Sequence, residues 1–183
     1  MSSTSSPFGL RPVYHPSGVV RPTAYTILTG YASNIFQNQP VTIHTDGSLI
    51  AAAVGGRIIG TFQGVEFTDS DGRRRVSNKW TASQAGTAIV AYATLDSDIV
   101  YEIQSDASLV LTDIGKQYDF TVASGNATVG LSTQMLDVAS SASNATFRLL
   151  GITPGPDNAF GDTYVIAQVN ISEHQNVADI AAY

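Results

Sequence analysis

Residues 58–82 read IIGTFQGVEFTDSDGRRRVSNKWTA, and this stretch decides the fold class. Phe62 lies between Gly60 and Gly64, then Val65 and Phe67 run into Asp69-Ser70-Asp71-Gly72. The return run carries Val76, Asn78 and Trp80 at a spacing of two. Two period-two runs around a turn cluster ending in Gly predict a β-hairpin, because Gly takes the left-handed position such a loop needs. With Asp69 to Gly72 as the loop, Thr68 would pair with Arg73, Glu66 with Arg75 and Val65 with Val76. That register sets opposite charges across from each other on one face and gathers Val65, Val76, Phe67 and Trp80 on the other.

Outward from this hairpin the same pattern recurs. Residues 40–53, PVTIHTDGSLIAAA, place Asp46-Gly47 between two β-prone runs. A two-residue turn there would pair His44 with Leu49 and Ile43 with Ile50. Further strands are expected at Tyr25 to Leu28, Ala88 to Ala93, Ile99 to Gln104, Tyr118 to Val122, Gln134 to Val138, Thr146 to Thr153 and Val165 to Ile171. Ser108 to Ile114 reads as a single helical turn closed by Gly115. Ala139 to Ala145 reads as a polar turn and Pro154 to Asn158 as a rigid loop. No stretch sustains a helical period, so the fold class is all-β: a small antiparallel barrel or sandwich with little helix.

At 183 residues the chain is one ordinary domain that buries roughly 70% of its unfolded surface. The expected division is an extended N-terminal arm over 1–22, a β domain over 23–172 and a short tail over 173–183. Pro7, Pro12, Pro16 and Pro22 fix φ and remove donors, which rules out a helix or central strand for the arm. Its Phe8, Leu10, Val13 and Tyr14 must lie against something, either the chain's own domain or a neighbouring subunit. In the tail, Val177, Ile180 and Tyr183 have the spacing of one helical turn.

Composition narrows the function. There are no cysteines, so disulfide scaffolds, thiolate catalysis and cysteine-ligated metals are excluded. Charged residues are 13% of the chain, about half the usual share, and Ser and Thr take their place. Low charge keeps desolvation cheap where surface is permanently buried against protein. A net charge of −6 argues against nucleic acid as a partner. Met1 to Pro7 has neither a basic nor an apolar signal-peptide region, and residues 49–60 are too short and broken to span a membrane.

Catalytic patterns are sparse. His15, His44 and His174 lie far apart and have no metal-ligand spacing, and G-x-S-x-G is absent. Asp69 and Asp71 lack the remaining ligands of a calcium loop. Asp96 and Asp98 offer two carboxylates, as any Asp-rich turn does. No enzyme activity, metal or cofactor is expected. Arg73-Arg74-Arg75 is the one basic cluster, suited to bidentate contact with an acidic patch on a partner.

The runs SPFGLRPVYHPSG (6–18), GTFQGVEFTDSDGRRRVSNKW (60–80), DIVYEIQSD (98–106) and FRLLGITPGPDNAFGD (147–162) together resemble the head decoration, or cement, proteins of tailed bacteriophages. The resemblance implies a β-barrel-like domain with an extended arm, made in the host cytoplasm and carried in many copies on the outer surface of a capsid. Its implied partners are the major capsid protein and copies of itself, as a dimer or trimer. It supplies no catalytic residue. The interface residues expected on this reading are Phe8, Leu10, Arg11, Tyr14, Arg73, Arg74 and Arg75. The alternatives are a receptor- or glycan-binding module of a virion fibre, for which Tyr25, Tyr31 and Phe36 are the available aromatic cluster, and a virion-associated hydrolase, for which Asp96 and Asp98 are the candidate carboxylates.

Overall fold

A computed structural model describes residues 4–123 and 125–178 of the chain. Its strands in chain order begin with β1 (Arg11–Tyr14), β2 (Pro22–Tyr25), β3 (Ile35–Phe36), β4 (Pro40–Ile43) and β5 (Leu49–Ala51). The central hairpin follows as β6 (Gly60–Thr68) and β7 (Arg74–Ser77), then β8 (Lys79–Trp80), β9 (Thr87–Thr94) and β10 (Val100–Gln104). The remainder is β11 (Gln117–Phe120), β12 (Gly125–Asn126), β13 (Leu131–Ser132), β14 (Leu136–Ala142), β15 (Phe147–Ile152) and β16 (Ile166–Ile171). Helix is limited to one 3₁₀ turn, Leu111–Asp113, among the described residues.

Two antiparallel sheets dominate. The first is ordered β1-β10-β16-β15-β11-β14; the second runs β2-β9-β6-β4-β5, with β7 also paired to β6. Neither sheet closes on itself, so the all-β fold is sandwich-like and not a closed barrel. Each sheet has its own apolar cluster. Tyr101, Ile103, Phe120, Phe147 and Val169 anchor the first; Ile35, Val41, Phe62, Phe67 and Trp80 anchor the second. The expected face of Ile99, Tyr101 and Ile103 and that of Val165, Ala167, Val169 and Ile171 are both buried.

Both Asp-Gly hairpins differ from the expected register by one residue. Leu49 faces Ile43, and Thr68 faces Arg74. In each, the Gly N–H bonds the carbonyl three residues back (Gly47 to His44, Gly72 to Asp69, both 2.9 Å). In each, only the Gly is left-handed, with φ 84° at Gly47 and 78° at Gly72. The preceding Asp is held out of that region by accepting a backbone N–H two residues on, Ser48 on Asp46 and Arg73 on Asp71. The result is a three-residue loop with a bulge at Gly. A one-residue slip flips every side chain of the returning strand. Val76 therefore points to solvent, 81% exposed, and Ser77 stands opposite Val65. Trp80 keeps its place: it is fully buried and meets Phe67 edge-on at 5.5 Å.

Two further differences are local. β14 runs through Ala142, into the expected polar turn, because Ser140 Oγ accepts the Asp119 N–H at 2.7 Å across a bulge. Val122 lies past the end of β11 and is exposed.

The N-terminal segment wraps the chain's own domain. Asn38, at φ 62°, donates its N–H to Phe62 O (2.8 Å) and its side-chain amide to Phe8 O (3.1 Å). Its carbonyl accepts the Leu10 N–H at 2.8 Å. Leu10 is thereby delivered to the core of the first sheet, and β1 adds to that sheet's edge against β10. Gly9 makes the approach possible: a Cβ there would lie 2.4 Å from Asn38 O and 2.6 Å from Ser132 Cβ.

The C-terminal segment crosses the other way. Ile58 N–H donates to Glu173 O (3.1 Å), and Gln175 N–H donates to Ile58 O (2.9 Å). The Gln175 side chain pairs with both backbone groups of Ile43 at 2.8 Å each. Buried His174 accepts the Asn176 N–H on Nδ1, which leaves Nε2–H to donate to Ile59 O and Leu95 O, each at 3.0 Å. Of the apolar trio expected in the tail, Val177 is exposed; Ile180 and Tyr183 lie outside the described residues.

Gly9→Ala should cost about 1–3 kcal/mol, since it adds a left-handed non-glycine residue and a clash with backbone. Urea unfolding checks this, and an unchanged midpoint would contradict the clasp. Trp80→Ala should cost about 3–5 kcal/mol and leave protein that is insoluble or melts far lower.

Candidate functional site

The expected interface residues fall into two separate groups. Phe8, Leu10, Arg11 and Tyr14 lie on or before β1, at the edge of the first sheet; Arg73, Arg74 and Arg75 lie at the tip of the β6–β7 hairpin. Within the first group Leu10 is core and offers nothing to a partner. Arg11 is committed internally, its guanidinium 4.6 Å above the Phe8 ring and 2.5 Å from the nearly buried Glu102 carboxylate. Tyr14 is 57% exposed, and Val13 and Val19 are exposed near it.

The arginine cluster is largely self-neutralised. Arg75 reaches Asp69 (3.3 Å) and Asp71 (3.1 Å), and Arg74 reaches Glu66 (3.2 Å) and Ala88 O (2.7 Å). Arg73 has only Asp71, at 3.6 Å, and is the most solvent-exposed of the three. The one-residue shift sets Val76 opposite Glu66 in place of the expected Arg75, and Glu66 pairs instead with its diagonal neighbour Arg74. Glu66 also accepts the Tyr92 hydroxyl at 2.7 Å. Its carboxyl is held below the ordinary range, first by that hydroxyl and then by Arg74, against partial desolvation.

An apolar surface absent from the sequence-based set surrounds the 3₁₀ turn. Val110, Leu111 and Ile114 are exposed there, Leu111 to 67%. Hydrogen bonds from Gly115 N–H to Leu149 O (2.8 Å) and from Leu149 N–H to Lys116 O (3.0 Å) join β15 to the end of this turn, and the next residue of β15, Leu150, is also exposed. The turn is shaped by buried Asp113, which accepts the Val110 N–H at 2.8 Å and pairs with Lys116 at 2.9 Å. The signal was the run Leu109-Val110-Leu111, read from sequence only as part of a helical turn.

A cleft lies where the chain passes between the sheets. It consists of two adjoining pockets that share Arg21 and Asp96: His15 and Ser17 of the β1–β2 connection line one, and His174 of the C-terminal segment lines the other. His15 Nε2 is 2.8 Å from Asp96 Oδ2, and Ser17 Oγ is 2.6 Å from His15 Nδ1. Asp96 is held below its ordinary value first by the Asp98 N–H, against partial burial, and then by His15. Asp98 contributes that backbone bond and not a facing carboxylate, so the two aspartates do not form a pair across the cleft. Among the described residues no group of three or more acidic or histidine side chains is placed to hold a metal. Nor do Tyr25, Tyr31 and Phe36 form an exposed platform: Phe36 is buried, and the Tyr31 hydroxyl oxygen accepts the Ala51 N–H at 3.2 Å.

Comparison with known proteins finds no matching family model, curated protein or solved structure.

Tyr92→Phe should return the Glu66 carboxyl toward its ordinary range, because the first cause of its lowering is removed. The Glu66–Arg74 contact would then be lost at a higher pH on acidification. A carboxyl titration followed by NMR checks this, and an unmoved Glu66 would contradict it. Arg73→Ser should change stability by no more than about 0.5 kcal/mol, read from thermal melting.

Proposed function

We propose that the protein is a structural component of a tailed-phage head that binds the outer surface of the capsid and reinforces the shell. On this reading it sits on the virion exterior, contacts the major capsid protein and neighbouring copies of itself, and catalyses nothing in that role. The observation that carries the reading is the apolar surface of Val110, Leu111, Ile114 and Leu150 on a chain with 13% charged residues. Exposed apolar patches on a soluble chain mark protein contacts. The chain as a whole carries few charges, which keeps the cost of covering such a patch low. The resemblance of the Phe8-Gly9-Leu10 and central hairpin runs to decoration proteins supports the same reading.

The occupant assigned to the patch is the major capsid protein. Arg73, at the hairpin tip, is the free end of the arginine cluster available for an acidic partner group. A self-paired tip gives a weaker and less salt-sensitive contact than three unpaired guanidiniums would.

Incubating purified protein with capsid shells that lack it, followed by sedimentation and imaging, tests the proposal. Ordered density on the shell exterior is expected; no association would overturn the reading. Leu111→Asp should leave the fold intact and weaken attachment roughly ten- to a hundredfold, since burying a leucine contributes about 1.5–3 kcal/mol. Unchanged attachment would remove the patch from the interface.

A further inference from the structure

The cleft between the sheets holds a feature that the shell-binding role does not use. Ser17, His15 and Asp96 form a continuous hydrogen-bonded chain: Ser17 Oγ to His15 Nδ1 at 2.6 Å, and His15 Nε2 to Asp96 Oδ2 at 2.8 Å. The tautomer follows from the partners. Ser17 N–H also donates to His15 Nδ1, at 3.1 Å, so Nδ1 is an acceptor and Nε2 carries the proton directed at Asp96; the one Nδ1 lone pair is shared by that amide and the nearer hydroxyl, whose other acceptor, Val19 O, is farther at 3.4 Å. A neutral imidazole with its basic nitrogen on a serine hydroxyl and its N–H on a carboxylate is the arrangement that activates a serine. The His15 side chain is only 14% exposed, which limits competition by water, while Ser17 faces solvent.

The local sequence builds this geometry. Pro16 and Gly18 shape a turn closed by Gly18 N–H on His15 O at 2.8 Å, which folds Ser17 back over the imidazole. Asp96 comes from the β9–β10 turn, and its other oxygen is occupied by the Asp98 N–H at 3.1 Å. Arg21 lines the same cleft and has no ion-pair partner among the described residues. Ser17 lines that pocket too, so the Arg21 guanidinium is the positive charge available in it to an oxyanion.

We propose that Ser17 is an acylatable nucleophile, with His15 as its general base and Asp96 as the residue that orients His15, and that the cleft takes small carboxylic esters. Ser17 Oγ attacks the ester carbonyl carbon, its proton passes to His15 Nδ1, and the carbonyl oxygen becomes an oxyanion beside Arg21. The intermediate collapses with cleavage of the bond to the alcohol oxygen, which leaves with the proton from His15. Water then attacks the acyl-Ser17 carbonyl and gives its proton to His15. Collapse releases the carboxylic acid and returns that proton to Ser17 Oγ. The sum is ester plus water to acid plus alcohol, with no redox change. Sequence alone hides the arrangement, because Ser17 stands in no nucleophile-elbow motif and Asp96 is remote in the chain.

The test uses the full chain and two probes: a fluorophosphonate, read by intact mass and peptide mapping, and p-nitrophenyl acetate, read by release of nitrophenolate. One fluorophosphonate adduct at Ser17 is expected, and Ser17→Ala should abolish it. His15→Gln and Asp96→Asn should each slow labelling and hydrolysis, His15→Gln by about 10²–10⁴-fold, the range of general-base contributions. Circular dichroism confirms that each variant is folded. An unlabelled wild-type Ser17, or labelling that the His15 and Asp96 variants leave unchanged, would overturn the proposal. Either outcome leaves shell binding untouched, since the cleft and the apolar surface are different sites.

Discussion

The structure depends on one constraint: each end of the chain is hydrogen-bonded into the half it does not belong to. Asn38, in the second half-core, holds Phe8 and Leu10 so that Leu10 fills the first. Glu173 and Gln175, following the last strand of the first sheet, bond Ile58 of the same core and, through the Gln175 side chain, Ile43 of the other half. Each sheet has its own apolar cluster, and neither terminus could be withdrawn without exposing backbone groups that are costly to leave unpaired. Buried His174 reinforces the crossing, since one imidazole N–H is shared between Ile59 O and Leu95 O.

Much of the fold was legible because strand alternation and turn residues agree. The buried rows of β10 and β16 and the single helical turn before Gly115 follow directly from spacing. Register was not legible. An Asp-Gly pair fits both a two-residue turn and a three-residue loop with a bulge, and the choice rests on whether the Asp side chain captures a backbone N–H two residues on. Asp46 and Asp71 both do, and both hairpins shift accordingly. Which surface the N-terminal segment lies against was not legible for a related reason. Its prolines exclude a central strand but permit an edge strand. The decisive contact is a Gly9–Asn38 approach between residues that no local pattern connects.

Less of the candidate site was visible in advance. Three adjacent arginines look like a basic patch in sequence, yet the hairpin folds Asp69, Asp71 and Glu66 onto them. Leu10 looked available and is core, whereas Leu111 looked like part of a helical turn and is exposed. The cleft combines residues from three connections, and its geometry exists only because those connections cross between the sheets at one place. Crossing points of this kind put polar side chains together without the ladder bonds that fix them inside a sheet, and loops held this way commonly carry binding and chemistry.

Native-state amide hydrogen exchange tests the central claim most directly. If the exchanged termini make the two halves one cooperative unit, the amides of Leu10, Ile58 and Gln175 should be protected to the same free energy as those of Val169 and Phe62 in the core strands. Early exchange at Leu10 and Gln175, with the core strands still protected, would show that the ends are peripheral straps and would contradict the account.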